Sequence, residues 1–150
     1  MLNITTGVSI PVSRDGAEVG AIHFNPNDVA FAERVYDLIG EMDAAEQDYT
    51  RRAEELEADT MEGPYGLPAN QRQRLALLRE VCEAMHARID EVFGDGTAQL
   101  CFGGALDLDA IWQFFDGIAP HLDAAHQERI KKYTQRHGNR QQRRALTKNK

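Results

Sequence analysis

Residues 75–92 read LALLREVCEAMHARIDEV, and within them Leu75, Leu78, Cys82, Met85, Ile89 and Val92 follow at spacings of 3, 4, 3, 4 and 3. Steps of three and four keep side chains on one side of an α-helix, so the stretch predicts a helix whose apolar seam packs along another helix. Gly94 stops it. Upstream, Gly63-Pro64-Tyr65-Gly66-Leu67-Pro68 breaks the chain. Before that break a helix is expected from Asn25 to about Asp59, with Asn25 as N-cap, Pro26 as the first helical residue and Asp28 at the positive end of the helix dipole. Its apolar residues are Phe31, Val35, Leu38, Ile39, Met42, Tyr49 and Leu56, dense in the first half and sparse in the second. The first half is expected to pack, and the second to project or pair weakly. An antiparallel pair across the Gly-Pro break is the economical arrangement.

Downstream, Gly94 to Leu106 holds four glycines and reads as a turn, with Phe93, Leu100 and Phe102 tucking it onto the core. Asp107 is the predicted N-cap of a further helix, whose Leu108, Ile111, Phe115, Ile118 and Leu122 again step by 3, 4, 3 and 4. Trp112 and Phe114 widen that stripe, and Pro120 is expected to kink or split the helix near Ala119. At the other end of the chain, Val8, Ile10 and Val12 alternate with polar residues or proline, Arg14-Asp15-Gly16-Ala17 supplies turn chemistry, and Glu18 to Phe24 returns. This is a β-hairpin, with Pro11 requiring an edge strand. The expected architecture is mainly α: an N-terminal β-hairpin followed by a small antiparallel bundle of about three to four helices in residues 1–133, then a flexible basic C-terminal arm over 134–150. Within that arm, helix is expected around Gln141 to Leu146.

A chain of 150 residues and 16.8 kDa fits one compact domain. The longest apolar runs, Val29 to Ala32 and Leu75 to Leu78, are four residues, far short of the roughly 20 that span a bilayer. No membrane association is expected. Met1-Leu2-Asn3-Ile4-Thr5-Thr6 does not resemble a secretory leader, so Cys82 and Cys101 are expected as reduced thiols in a cytoplasm. The net charge of −7 conceals segregation, since residues 1–128 carry 8 Lys and Arg against 24 Asp and Glu, whereas Arg129 to Lys150 carries 9 Lys and Arg and no acid. Such a pattern predicts an acidic body with a basic arm that binds nucleic acid, an acidic partner, or the acidic helix of its own domain.

Motifs for chemistry are weak. Glu83 and His86 have the Glu-x-x-His spacing of di-metal helical bundles, but such a site needs two copies and two further glutamates. His121 and His126 are five apart, about 140° around a helix, and do not converge on one ion. His23 and His137 have no partner by spacing. Gly94-Asp95-Gly96-Thr97-Ala98-Gln99 resembles half of a dinucleotide loop, but it follows a helix and lacks the third glycine. Cys82 is a seam residue, which favours a small buried hydrophobe over a nucleophile. With no nucleophile elbow, zinc-protease helix or phosphate-binding loop, the expectation is no catalytic residue, no metal, no cofactor and no enzyme activity. Arg136 to Arg144 could neutralise phosphates, but the arm has no interleaved aromatic beyond Tyr133 and the acidic body repels polyanions.

Three segments together resemble the tail assembly chaperone-like proteins of tailed phages and prophages. They are the hairpin leading into Phe24-Asn25-Pro26-Asn27-Asp28 and Phe31-Ala32-Glu33-Arg34-Val35-Tyr36; Ile89-Asp90-Glu91-Val92-Phe93-Gly94-Asp95-Gly96-Thr97 with Cys101-Phe102-Gly103-Gly104; and Asn139-Arg140-Gln141-Gln142-Arg143-Arg144-Ala145. The resemblance covers about Gly7 to Ala145. It implies a non-catalytic role in long-tail morphogenesis in the bacterial host cytoplasm. Such chaperones coat the aggregation-prone tape measure protein and recruit tail tube subunits, then leave before the virion is complete. In that role Leu75, Met85, Ile111, Trp112 and Phe115 are candidates for core or groove, with Trp112 and Phe115 chosen as partner contacts. Arg140, Arg143 and Arg144 are the arm contacts, and a homo-oligomer fits the same role. Two other readings stay open: a small nucleic-acid-associated or regulatory protein tethered by its arm, and a structural tail component retained in the virion.

Overall fold

The computed structural model describes the backbone of residues 1–148 and the side chains of residues 1–132 and 134. In order, the elements are β1 (Val8–Arg14), β2 (Ala17–Phe24), α1 (Val29–Glu57), a 3₁₀ turn (Pro64–Gly66), α2 (Gln71–Phe93), α3 (Thr97–Phe102) and α4 (Leu108–Lys148). The fold is mainly helical, with an N-terminal antiparallel hairpin and four α-helices.

Asp15 at φ 52° and Gly16 at φ 84° are both left-handed, the combination that lets a two-residue turn follow the twist of its strands. Register runs from Arg14 opposite Ala17 to Val8 opposite Phe24, with Val19 as an extra residue where pairing shifts between Val12 and Ser13. In a two-stranded sheet both strands are edges, so Pro11 meets no conflict. One face of the hairpin supplies Ile22 and Phe24 to the core, with Val8, Ile10 and Val12 packed partly against it.

Helix α1 starts three residues later than expected. Its N-cap is Asp28, whose Oδ1 accepts from the backbone N–H of Ala30 (3.0 Å) and Phe31 (3.4 Å). Asn25 instead builds the preceding turn, its carbonyl accepting from Asp28 N (3.1 Å) and its side chain from Asn27 N (3.0 Å). Asn-Pro suits the first two positions of a turn as well as a helix start, and here the turn prevails. The helix then continues past Met42 to Glu57. Across the break, the amide of Asn70 donates to the carbonyl of Leu56 at 2.6 Å, satisfying one of the carbonyls left over at the end of α1. Helices α1 and α2 are antiparallel, as the Arg88–Glu41 and Arg52–Glu80 ion pairs at 2.8 and 3.3 Å require.

Further expectations are corrected or narrowed. The glycine-rich segment after α2 contains a helix, α3, because Asp90 accepts from Ala98 N (2.9 Å) and Thr97 Oγ1 donates to the Gly94 carbonyl (2.7 Å), which together organise its first turn. Six residues between glycines are too few to show a helical period. Helix α4 begins where expected, with Asp107 Oδ1 accepting from Asp109 N at 2.9 Å, and of the kink or split expected at Pro120 the split does not occur, the helix running on to Lys148. Proline there removes one backbone donor and leaves the flanking bonds to carry the helix. The basic segment from Thr134, expected as a flexible arm with helix around Gln141 to Leu146, has helical backbone continuous with α4 as far as Lys148.

The core gathers Val35, Leu38 and Met42 of α1, Cys82 and Ile89 of α2, and Ile111 of α4, each 0% exposed. Each large apolar side chain so buried contributes about 1.5–3 kcal/mol. Phe24 stacks on Phe31 with ring centroids 5.7 Å apart, and Phe93 joins Phe31 to Phe114 edge-on at 5.3 and 5.0 Å. These aromatics fasten the hairpin to the helices. The α2 seam closes at Cys82, Met85, Ile89 and Val92, whereas Leu75 is 53% exposed.

Candidate functional site

The hairpin covers the helices on one side only, and beside it an open groove of about 530 Å³ separates β1 from α4. One wall is the inward face of β1, with half-buried Ile10 and Val12. Phe102 and Cys101 at the end of α3 form the floor, and Ala110, Phe114 and Gly117 on α4 form the other wall. Ala110 and Gly117 stand two turns apart on one face, and their small size leaves the opening.

Arg14 closes one end. Its guanidinium donates to the carbonyls of Leu100 (2.9 Å) and Gln99 (3.4 Å), at the C-terminal, negative end of α3. Gly103, at φ 60°, lies directly beneath it, and a Cβ there would stand 2.6 Å from the guanidinium. Arg14 is therefore occupied as a clasp between hairpin and helix.

Burial pushes the Cys101 thiol above its ordinary pKa, with Asp90 adding to the shift and Arg14 opposing it. Cys82 is also pushed up, first by burial and then by Asp107 and Glu83. Both thiols are consequently protonated and weakly nucleophilic at neutral pH. His86 stacks on Phe102 at 4.8 Å, and its Nε2 is buried without a hydrogen-bond partner among the described residues. Burial lowers its pKa, against the pull of Asp90 and Glu83. Glu83 pairs with Arg79 at 2.7 Å on the exposed surface. Among the described residues, no group of three or more His, Cys, Asp or Glu is placed to hold a metal ion. The groove sets the apolar Ile10, Val12, Phe102 and Phe114 beside the polar Ser13, Asp15, Asp107 and Gln113, a mixed lining that suits it to receiving side chains from a partner surface.

The residues singled out from sequence do not gather here. Trp112 is half-buried and its indole N–H donates to the carboxylate of Glu46, fastening α4 to α1. Phe115 is 3% exposed and packs between Trp112 and Phe114, so of the core and the groove, the two places expected for it, it takes the core. Met85 and Ile111 are also core. The side chains of Arg140, Arg143 and Arg144 lie outside the described residues. The groove residues Ile10, Val12, Ala110 and Gly117 were missed. Their one sequence signal was the pair of small residues seven apart beside the α4 stripe.

The chain belongs to a family of unknown function (DUF6673), whose profile matches residues 16–147, from the hairpin turn through all four helices. No curated protein and no solved structure matches it.

Proposed function

We propose that this member of the DUF6673 family is a non-catalytic tail assembly chaperone of a tailed phage or prophage, binding the tape measure protein, tail tube subunits or both in the bacterial cytoplasm. The observation that carries the reading is the groove between β1 and α4. Its apolar floor and small-residue wall fit the apolar face of a partner helix, which presents side chains at three- and four-residue spacing. The resemblance of the three sequence segments supports these partners, and the groove supports a helix-binding role. No helix among the described residues is long and apolar enough to cross a membrane.

Co-expression of the full chain with the tape measure and tail tube proteins of the same genome tests the proposal, with nuclease added and salt raised stepwise. Copurification of either tail protein that survives nuclease and roughly 200 mM salt is the expected result, because apolar helix-in-groove contacts are weakly screened. Recovery of nucleic acid alone, released between about 50 and 200 mM salt, would contradict it and favour tethering to DNA through the basic end.

A further inference from the structure

Packing along the α1–α2 pair changes at one level of the molecule. Val35, Leu38 and Met42, with Cys82 and Ile89 opposite, are fully buried where α4 contributes to the same core. The indole of Trp112, just inside α4, meets Glu46 on α1. Farther along α1, no described helix continues the third position. There Tyr49, Leu56 and Leu78 are only half-buried, and Leu75 is 53% exposed. The seam residues persist on both helices, and what they lack is a cover. Beside Glu46 the uncovered stretch carries a depression of about 290 Å³ that extends along α1 to Glu54.

Charge states the chemistry of the cover. Residues 43–62 hold eight acids against two arginines. Those arginines are already engaged, Arg51 by Asp48 and Glu55, Arg52 by Asp48 and Glu80. A positively charged helix is the complementary occupant. The chain carries one, because Arg129 to Lys150 has nine Lys and Arg without an acid, and its residues up to Lys148 prolong α4.

That segment cannot reach its own acidic stretch as a helix. Trp112 beside Glu46 and Arg129 donating to the Asn27 carbonyl at 3.3 Å make α4 antiparallel to α1. The basic end therefore leaves from the pole opposite the uncovered face. From Ile130 to Lys148 a helix extends about 28 Å, ample for the roughly 16 Å of α1 between Gln47 and Glu57.

We propose that the basic end of α4 docks on the uncovered acidic face of the outer α1–α2 pair in a second copy of the chain, continuing the three-helix packing from one molecule into the next. The two surfaces differ, so the contact is head-to-tail and builds rings or filaments rather than closed two-fold dimers.

Sedimentation velocity of the purified full chain tests this, from about 1 to 100 µM protein and at about 50 and 500 mM salt. Two variants accompany it: Asp43→Lys with Glu54→Lys at the acidic pole, and Arg140→Gln with Arg143→Gln and Arg144→Gln at the basic one. Asp43 and Glu54 are exposed and outside the ion pairs described, and circular dichroism checks that both variants fold. The wild-type chain should grow with concentration at low salt and dissociate at high salt. Each variant alone should stay monomeric, while their equimolar mixture should stop at a dimer joined through the one intact pole of each. A wild-type chain that stays monomeric throughout, a variant that associates like wild type, or a mixture that forms no dimer each overturns the proposal. No tail protein is present in the experiment, so such a failure leaves the groove's proposed role untouched.

Discussion

Arg14 links two elements that are far apart in sequence, its guanidinium closing the α3 end from the hairpin turn. Replacing it with alanine leaves the Leu100 and Gln99 carbonyls without their charged donor, so Arg14→Ala should lower stability by about 1–2 kcal/mol in urea unfolding. An unchanged midpoint would show that the clasp contributes nothing. His86 makes a pH prediction. Burial lowers its folded pKa below the ordinary value, so as pH falls below about 6.5 the unfolded chain takes up a proton that the folded chain resists. The stability contribution is complete above that pH and is lost as pH falls toward the folded pKa. His86→Phe keeps an aromatic ring against Phe102 and removes the titration, so its stability should fall less between pH 7 and 5 than that of the wild type. Parallel slopes would contradict the assignment. Neither contact was legible in the sequence. Arg14 appeared there only as a turn residue and His86 as half of a metal motif, because their partners lie on other elements.

At the scale of elements, hydrophobic period and turn chemistry predicted the hairpin, the antiparallel α1–α2 pair and the start of α4. Elements depart from these expectations where local chemistry allows two outcomes. Asn25-Pro26 suited a helix cap and a turn equally, and the choice went to Asp28 because its carboxylate reaches two free N–H groups. Asp28→Ala should therefore cost about 1 kcal/mol of stability and Asn25→Ala less, as measured by thermal unfolding. The reverse order would restore the earlier helix start. Helix α3 was missed because its first turn depends on Asp90, a residue of the preceding helix. Leu75 follows the seam spacing but is exposed, since spacing reports which face a residue occupies and not whether anything covers that face.

On the whole molecule, charge segregation was visible in the sequence, but its geometry was not. Only the antiparallel course of α4 along α1 puts the acidic and basic stretches at opposite poles. The groove was hidden for a related reason: it forms between β1 and α4, elements nearly 100 residues apart in the chain, and depends on what is small at Ala110 and Gly117. Gly117 is the position at which the groove's role in binding can be tested. A Cβ at Gly117 meets open space, as does one at exposed Gly40 on α1, away from the groove. Both Gly117→Trp and Gly40→Trp should therefore fold, and only the first should fill the groove. The measurement is the affinity of the wild type and both variants for purified tape measure and tail tube proteins. Gly117→Trp should weaken binding by about tenfold or more, roughly 1.4 kcal/mol, while Gly40→Trp binds like wild type. Equal binding by all three chains, or binding of neither tail protein by the wild type, would contradict it.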